Sequence, residues 1–490
     1  MAQKKKSTAA RKNSVVEVLG TAQMRGTRMR EKYVLFAEVC TCIDWEVGVI
    51  IPNGNISYAD TIAYETSAAA LEIGREELNR QQLLNNFTFR FTFTSGNCSD
   101  IGSAGTAAEL IKTNKVAAII GPPCNLAARA VAPLSTYYNI ATFAWGLATA
   151  SEVGRTVYSS IMTITTTGRH YALAVYEVIS YFKWKQFATI HAGEKCADID
   201  KELTAITYNS GGATYISRNV ALQEESLDTI NVTLTRTKAV ARILVLCLTD
   251  ASIVRKTMLA AYDNNMIGDE FVYIIVDSKS GGYVKQSPGG DVVPVWQDTT
   301  DNPDGRDEQA MRAFQRSMSI STEKHRNDAL VAFKRNVIEK MRQPPFNCIE
   351  ECSHQAYSIG SAYCDQLYQI MLLYGMALNR TLMQDPTQIR NGTRIVQNSG
   401  MTFAGVSGDI TVNSRGQLVP TLHLYNLDRT GGPRTIMSMV VDVNINNTVF
   451  ISAPETVWSN YGGKKPLAIP DCGFLGKELH ITLVRVHEIC

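Results

Sequence analysis

The sequence lacks an uninterrupted apolar stretch long enough to cross a membrane. Its longest near-apolar stretch, residues 33–43, contains Glu38 and runs directly into acidic residues, whereas a spanning helix needs about 18–20 apolar residues. The same stretch is a poor signal peptide, although basic residues precede it. We interpret residues 1–44 as a basic leader, either disordered or a degraded signal region, with the mature body beginning near Trp45.

The sequence also lacks the common catalytic motifs. No G-x-G-x-x-G follows an expected strand, and a Walker loop, H-E-x-x-H and G-x-S-x-G are missing. These absences weigh against nucleotide-dependent enzymes, zinc proteases and α/β hydrolases. We predict no catalytic residue and no cofactor. A cytosolic α/β enzyme is the alternative class, and free thiols throughout the protein would support it.

The body of the chain lacks an excess of positive charge. Residues 1–32 hold nine basic and two acidic residues, a net charge of +7, and the remainder holds 39 basic and 44 acidic residues, a net charge of −5. A slightly negative body gives no reason to expect nucleic-acid binding. The basic head is interpreted as a disordered leader, with a nucleic-acid or nuclear-import tail as the alternative.

The eleven cysteines lack C-x-x-C pairs. Wide spacing favours a few disulfides over zinc ribbons. Cys348, Cys352, His354 and Cys364 together have the residue types of a metal site, but a C-x3-C spacing matches no common zinc module. We therefore predict no metal site, and expect a disulfide that is either Cys348–Cys352 or one involving Cys364.

Glycosylation sequons are more frequent than chance predicts. Seven occur, where about four would be expected from the asparagine content at ordinary Ser and Thr usage, and this gives mild support for a secreted protein. The candidate asparagines are Asn55, Asn86, Asn97, Asn231, Asn379, Asn391 and Asn446.

Residues 116–146 indicate how the chain is organised. Val116–Ile120 is a continuous apolar run typical of a strand buried on both faces. A Gly121-Pro122-Pro123 turn, a helical pattern and a second short strand at 140–143 follow. A parallel crossover places this turn at the carboxyl end of its strand, where open α/β sheets bind ligands.

The same alternation of strand and helix occurs twice. Apolar or alternating strands are expected at 45–52, 87–94 and 116–120, and then, after a Thr-rich connector, at 186–191, 213–217, 241–248 and 271–276. A long apolar helix is expected at 355–382. The predicted fold is α/β, with two doubly wound lobes, a hinge and a cleft between them.

Several short motifs carry a resemblance to a known family. They are Ile119-Ile120-Gly121-Pro122-Pro123-Cys124, Ala144-Trp145-Gly146-Leu147-Ala148-Thr149-Ala150-Ser151, residues 174–188 (AVYEVISYFKWKQFA), Phe403-Ala404-Gly405-Val406-Ser407-Gly408-Asp409 and Pro470-Asp471-Cys472-Gly473-Phe474. In this order, residues 47–471 resemble the extracellular ligand-binding region of receptor guanylyl cyclases and natriuretic peptide receptors. That region is similar to type I periplasmic binding proteins. The match looks closest to nematode chemosensory receptor cyclases.

The resemblance implies a division of the chain into lobes. It implies a membrane-distal lobe 1 from residues 46–160 plus 355–398, and a membrane-proximal lobe 2 from 165–342 plus 400–470. Residues 471–490 would form a juxtamembrane-like tail. It also implies two disulfides, Cys98–Cys124 and Cys196–Cys247. In the chain-entropy account, the first would close a loop and stabilise the fold by roughly 3–4 kcal/mol.

A small ligand is expected in the cleft, at the ends of the strands. Trp145 would offer a stacking face, with packing in the core of lobe 1 as the alternative. For the hydroxyls, turn formation or helix capping is the alternative. Binding at a dimer surface, as in related peptide receptors, would leave the cleft unused. The candidates are Asn53, Pro122, Trp145, Thr149, Ser151, Thr166, Thr167 and Asp277.

The function that the resemblance implies is sensory. The chain is expected to be the ligand-binding domain of a homodimeric receptor on the extracellular face of the plasma membrane, signalling through cyclic GMP in the full-length protein. The expected ligand is a small molecule or a peptide. Kinase-like and cyclase domains are not recognisable in the sequence, so this chain itself is expected to have no catalytic activity, and its anchor would lie in a segment missing from it. The alternative is an amino-acid or small-molecule receptor unit, or a secreted decoy.

Overall fold

The first sheet of the protein is parallel and buried on both faces. The computed structural model describes residues 42–474 except 154–156, 249, 277–280, 288–291, 323–327, 407, 443–445 and 451–453. Within these residues the first sheet has five strands in the order β2-β1-β3-β4-β5. They are β1 (Ile43–Ile50), β2 (Phe87–Thr94), β3 (Ala118–Ile120), β4 (Ala141–Ala144) and β5 (Ile161–Thr163).

Helices alternate with these strands and cover the sheet. The apolar runs of β3 and β4 are buried throughout because helices lie on both sides of them. At the sheet edge, β2 alternates Phe with polar residues, and Phe89 packs with Tyr374 from a later helix. The helices of this lobe, which we call lobe 1, are α1 (Tyr64–Ser67), α2 (Ala69–Arg80), α3 (Asp100–Lys112) and α4 (Asn125–Tyr138).

A second wound sheet forms lobe 2. Among the described residues it has eight strands in the order β17-β16-β15-β12-β9-β8-β6-β7, parallel from β7 to β12 and antiparallel from β12 to β17. The strands are β6 (Gln186–His191), β7 (Tyr215–Ala221), β8 (Ile243–Cys247), β9 (Val272–Val276), β12 (Ser317–Thr322), β15 (Thr421–Leu427), β16 (Pro433–Val441) and β17 (Asn446–Phe450), with a separate hairpin of β10 (Val284–Gln286) and β11 (Val292–Pro294).

In the described part of the chain, five helices flank the second sheet. They are α5 (Gly168–Tyr181), α6 (Glu194–Asn209), α7 (Leu227–Lys238), α8 (Ala251–Asp263) and α9 (Asp307–Phe314), and a short α13 (Pro454–Val457) follows the last strand. The α/β class and the two wound, helix-flanked sheets agree with the expected fold.

The later helices return to lobe 1. They are α10 (Asp328–Met341), α11 (Cys364–Gln384) and α12 (Gly392–Gln397). Val337 and Met341 of α10 are buried in the same core as Trp45 of β1. The expected boundary at residue 342 placed α10 in lobe 2, whereas the helix packs against α1, α2 and α11. The apolar face of α10 predicts that the helix is buried. It does not predict which lobe covers that face, because this depends on the tertiary fold.

The segment after α12 also lies on lobe 1 before the chain crosses to lobe 2. A short hairpin of β13 (Thr402–Gly405) and β14 (Gly408–Thr411) packs Phe403 and Ile410 against the core of lobe 1. Of the range 400–470 that was expected in lobe 2, only the part from β15 onward therefore belongs to that lobe. Residues 1–41 and 475–490, which include most of the expected leader and tail, lie outside the described part of the chain.

The structure contains the three expected disulfides. Cys98–Cys124 joins the loop after β2 to the start of α4, and Cys196–Cys247 joins α6 to the end of β8. The third is Cys348–Cys352. Cys364 is buried and unpaired, which leaves the first of the two alternatives for this region.

Candidate functional site

The expected ligand site lies where the strands of lobe 1 end. The carboxyl ends of β1, β3 and β4 meet at one edge of the sheet because the three strands are parallel neighbours. Asn53 follows β1 and is exposed, whereas Pro122 follows β3 and is buried. Trp145 follows β4 and is fully buried in the core of lobe 1. Its indole Nε1 has no hydrogen-bond partner among the described residues. The ring is therefore closed to a ligand in this conformation.

Thr149 is buried and bonded within lobe 1. Its hydroxyl lies 3.2 Å from the Nδ2 and 3.3 Å from the Oδ1 of Asn125, the first residue of α4. Asn125 Oδ1 also accepts the Ala150 N–H at 2.8 Å. The amide of Asn125 thus shapes the 149–151 loop, and the Thr149 hydroxyl is not offered to the cleft.

Ser151 is one of the points where lobe 1 meets lobe 2. Its Oγ donates to Asp198 Oδ2 of α6 at 2.8 Å and accepts the Arg169 N–H of α5 at 2.9 Å. The Ser151 N–H donates to the same Asp198 oxygen at 3.2 Å. Gly168 permits this approach, because a Cβ at that position would lie 2.3 Å from Asp198 Oδ2. Ser151, which is expected to bind ligand, thus connects the two lobes in this structure.

Charged side chains surround this contact. Arg129 of α4 lies 3.5 Å from Asp198 Oδ1, an ion pair without a hydrogen bond, and its Nε lies 3.4 Å from Glu152. On the other side, Lys201 contacts Glu152 at 2.9 Å. We call the whole set the junction cluster. Its members are Arg129, Ser151, Glu152, Arg169, Asp198, Lys201 and Glu202, whose carboxylate accepts from Arg169 at 2.9 Å.

The two acids at the centre of the junction cluster differ in their electrostatics. Burial raises the pKa of Asp198, and the hydrogen bonds from Ser151 oppose that rise only in part. Burial alone would also raise the pKa of Glu152, but a hydrogen bond from Lys201 and the charge of Arg129 outweigh it and lower the pKa to about 2. Burial thus disfavours the charged form of Asp198, whereas the partners of Glu152 favour its charged form.

A buried histidine, His170, links two of the segments that run between the lobes. The His170 Nδ1 accepts the Thr167 N–H at 3.0 Å, so its Nε2 carries the proton and donates to the Leu418 carbonyl at 3.1 Å. This side chain joins the start of α5 to the segment that leads into β15. Burial lowers the pKa of His170 to about 4. The ring is therefore neutral at physiological pH.

The other candidates fall in or near this connector. Thr166 is half-buried and Thr167 is buried, where its hydroxyl joins the capping interaction with His170 at 2.8 Å. Asp277 lies outside the described residues. The structure thus brings Thr149, Ser151 and Thr167 together at the lobe junction.

Sequence reasoning missed the partners of these hydroxyls. Asp198, Arg129 and His170 showed no motif, because each lies within an ordinary amphipathic helix. The Gly168 that follows three threonines was an available signal of close packing, but its partner lies 30 residues away in α6. Only the docking of the lobes identifies these residues as a site.

A shallow hollow of about 300 Å³ lies elsewhere on lobe 1, between α2, α10 and α11. Its two carboxylates are paired, Glu76 with Lys340 and Glu77 with Arg80, so it presents no uncompensated charge. It is lined by Ile73, Glu76, Glu77, Arg80, Phe333, Tyr368 and Val406.

The described part of the chain holds neither a metal-binding cluster nor a membrane-spanning helix. It contains no group of three or more His, Cys, Asp or Glu side chains arranged to hold a metal ion. None of the helices that the structure describes combines the length and the apolar character needed to span a bilayer.

Comparison with known proteins identifies the family of this chain. Residues 66–430 match the receptor family ligand binding region. The receptor-type guanylate cyclase gcy-13 of Caenorhabditis elegans is 37% identical over 430 residues, which is 86% of this chain and 42% of that protein. The receptor-type guanylate cyclase gcy-14 of the same organism is 31% identical over 461 residues, 91% of this chain and 41% of that protein.

The match is confined to one part of these relatives. The receptor-type guanylate cyclase gcy-19 of Caenorhabditis briggsae is 25% identical over 464 residues, 87% of this chain and 38% of that protein. The chain therefore spans about two fifths of the length of the curated relatives it matches. The resemblance inferred from the motifs is confirmed: this chain belongs to the family of receptor ligand-binding regions and is homologous to that region of receptor guanylate cyclases.

Proposed function

We propose that this chain is the extracellular sensory region of a receptor guanylate cyclase that signals through cyclic GMP. The observation that carries the proposal is the junction cluster, where a buried carboxylate of lobe 2 is held by a serine of lobe 1, in a chain homologous to receptor ligand-binding regions. A contact of this kind has two discrete states, made and broken. A ligand that favours one of them shifts the angle between the lobes.

The ligand is proposed to be a small molecule or peptide, and the receptor a homodimer. Closed twofold dimers are the commonest oligomers, and a change in the angle of lobe 2 in each copy would alter the spacing of whatever follows it. The chain itself supplies sensing, and cyclase activity in the full-length receptor would belong to another part of the protein.

A chimera tests the proposal. This chain would replace the matching region of gcy-13, and the chimera would be expressed in cells carrying a cyclic GMP reporter. We expect cyclic GMP to change on exposure to an extract or compound library, and the response to disappear when lobe 2 alone is exchanged. A chimera that reaches the surface and synthesises cyclic GMP at a rate no added compound alters would count against a sensory role.

Replacing Ser151 with alanine is expected to lower the free energy of unfolding by about 1–2 kcal/mol. The substitution removes one hydrogen bond to Asp198 and leaves the Arg169 N–H without its acceptor, and a buried polar group that loses its partner costs about this much. Urea denaturation monitored by tryptophan fluorescence measures the change.

The matched control is Ser358→Ala. Ser358 is exposed, so its loss should change the free energy of unfolding by less than about 0.5 kcal/mol. Equal midpoints for the two variants would show that the Ser151 contact does not join the lobes in solution.

The structure sorts the sequons by accessibility. We expect glycans on Asn55 and Asn86, which are exposed, when the protein is secreted from cells. Asn391 should remain unmodified. Its Nδ2 donates to Gln388 at 2.7 Å, and its Oδ1 accepts the Arg394 N–H at 3.0 Å as the cap of α12.

Mass spectrometry after enzymatic removal of the glycans in heavy-oxygen water measures the occupancy of each site. An asparagine that carried a glycan becomes an aspartate labelled with heavy oxygen. Unmodified Asn55 and Asn86 in secreted protein would contradict the extracellular placement. Asn97 is also exposed, Asn231 and Asn379 are half-buried within helices, and the side chain of Asn446 lies outside the described part of the chain.

A further inference from the structure

One end of lobe 2 exposes five large apolar side chains. This end is where the strands of the parallel sheet begin, opposite the junction cluster. The exposed fractions are 86% for Tyr208 and between 44% and 47% for four others. The five residues are Tyr181, Tyr208, Tyr215, Leu467 and Ile469.

Three segments bring these side chains together. The Trp184 Nε1 donates to the Pro466 carbonyl at 2.9 Å, and the Lys465 Nζ donates to the Phe182 carbonyl at 2.7 Å, so residues 462–469 are fastened to the loop after α5. The Tyr215 N–H donates to the Lys185 carbonyl at 2.9 Å, which joins the start of β7 to the same loop. The start of β7, the loop after α5 and residues 462–469 therefore lie beside one another at this end of lobe 2.

The charged residues of the three segments are all basic. The segments 181–186, 208–215 and 462–469 contain four lysines and no acidic residue, while the chain beyond its basic head carries a net charge of −5. Lys183, Lys185, Lys464 and Lys465 are all exposed. We call the five apolar residues and these four lysines the basal patch.

We propose that the basal patch contacts the headgroup region of a phospholipid bilayer. This proposal rests on the proposed function, which places the protein at a membrane. Tyrosine is favoured at the depth where an apolar ring and a wet hydroxyl are both satisfied, and lysine ammonium groups can donate charge-assisted hydrogen bonds to the phosphate oxygens of phospholipid headgroups. A sulfated glycan would satisfy the lysines but would leave the five apolar side chains in water.

Lipid contact at this position would fix the orientation of lobe 2. Residues 462–469 continue from Trp458 and Tyr461, which are buried in the lobe-2 core beside Trp184. A basal patch held in the headgroups would therefore hold the whole lobe. The movement set by the junction cluster would then appear as motion of lobe 1.

Vesicle binding by the full 490-residue chain tests the proposal. Vesicles of equal parts phosphatidylcholine and phosphatidylglycerol would be sedimented with wild-type protein and with a Lys183→Gln, Lys185→Gln, Lys464→Gln variant. We expect the triple variant to partition about 100-fold more weakly, since each lysine near an anionic surface contributes to binding. Lys465 is left in place because its ammonium group bonds within the fold.

The matched control variant is Lys115→Gln, Arg335→Gln, Arg342→Gln. It removes three exposed charges from lobe 1, and Lys115 shares a positive φ near 55° with Lys183. Tyr208→Ser should weaken binding, whereas Tyr137→Ser, at a lobe-1 tyrosine that is 81% exposed, should not. The basic head, residues 1–32, is unchanged in all of these variants, so it contributes equally to their binding.

Hydrogen exchange locates the contact independently of affinity. Vesicles should slow exchange in residues 181–186 and 462–469 in the wild type. Equal loss of binding in both triple variants, or protection confined to residues 1–32, would overturn the proposal. So would binding of heparin through the same lysines without any binding to vesicles, because that result assigns the surface to a polyanionic glycan.

The outcome is separable from that of the sensory role. A chimera that responds to ligand but carries a basal patch with no affinity for vesicles would remove the lipid contact and leave the receptor function standing. A basal patch that binds vesicles in a chimera without response would do the reverse.

Discussion

Replacing Gly121 with alanine is expected to lower the free energy of unfolding by about 3 kcal/mol or more. Gly121 has a φ of 99°, and an added Cβ would lie 2.2 Å from the backbone oxygen of Ile50 in the neighbouring strand. A left-handed backbone at a residue with a side chain costs about 1–3 kcal/mol, and overpacking against an unyielding backbone adds a similar amount. Urea denaturation at neutral pH measures the loss.

The matched control for Gly121 is Gly105→Ala. Gly105 lies in the middle of α3, is exposed, and has no atom within 4 Å of the added Cβ. Alanine there should raise the free energy of unfolding by about 0.5–1 kcal/mol, because it removes freedom from the unfolded chain. A Gly121→Ala protein as stable as wild type would mean that the β3 turn does not approach β1 as described.

Acidification from pH 7 to pH 5 is expected to destabilise the protein by about 2 kcal/mol through His170 alone. Its pKa is about 4 in the folded protein and about 6.5 in the unfolded chain. The unfolded state therefore binds more protons between these values, and stability falls as the pH is lowered. The full contribution, about 3 kcal/mol, is present above pH 6.5 and is lost as pH approaches 4.

The main cause is the burial of the His170 ring, which disfavours its charged form, and the hydrogen bond to the Leu418 carbonyl opposes this effect only in part. A protonated ring would direct a second N–H at the Thr167 N–H, which is itself a donor, and would place a charge in a buried site. Of the charges nearby, Arg169 opposes protonation and Asp442 favours it. Protonation should therefore weaken the link between the start of α5 and Leu418.

The His170→Gln variant tests this account. It is expected to be less stable than wild type at pH 7 but to show a shallower dependence of the unfolding midpoint on pH between 7 and 5. His354→Gln, at an exposed histidine, should keep the wild-type dependence. If His170→Gln and wild type lose stability in parallel, another group is responsible for the acid sensitivity.

Local patterns predicted much of the scaffold. The Phe-Thr alternation predicted β2 at its observed bounds, and the apolar runs predicted β8 and β9 to within a few residues. These strands are recognisable because a side chain that alternates between two faces, or is buried on both, has a periodicity visible in a few residues. β16 and β17 were missed. β16 pairs with β15 in an antiparallel arrangement whose register is irregular, and the polar residues of β16 hide the alternation typical of a strand.

The site was less predictable than the scaffold. The position of Thr149 and Ser151 at strand ends followed from the sequence, but their role did not. Trp145 shows the same limit, because an aromatic after a strand is equally compatible with a ligand face and with the core, where the structure places it.

The sequence by itself determined two wound, helix-flanked sheets and the edge at which their loops gather, since both follow from patterns a few residues long. The tertiary structure alone decided that α10 belongs to lobe 1, and that Ser151 bonds to Asp198, 47 residues away. It also gathered three separate segments into the basal patch. The physical reason is that such contacts depend on how already formed elements dock, and a helix or hydroxyl carries no local signal of its partner.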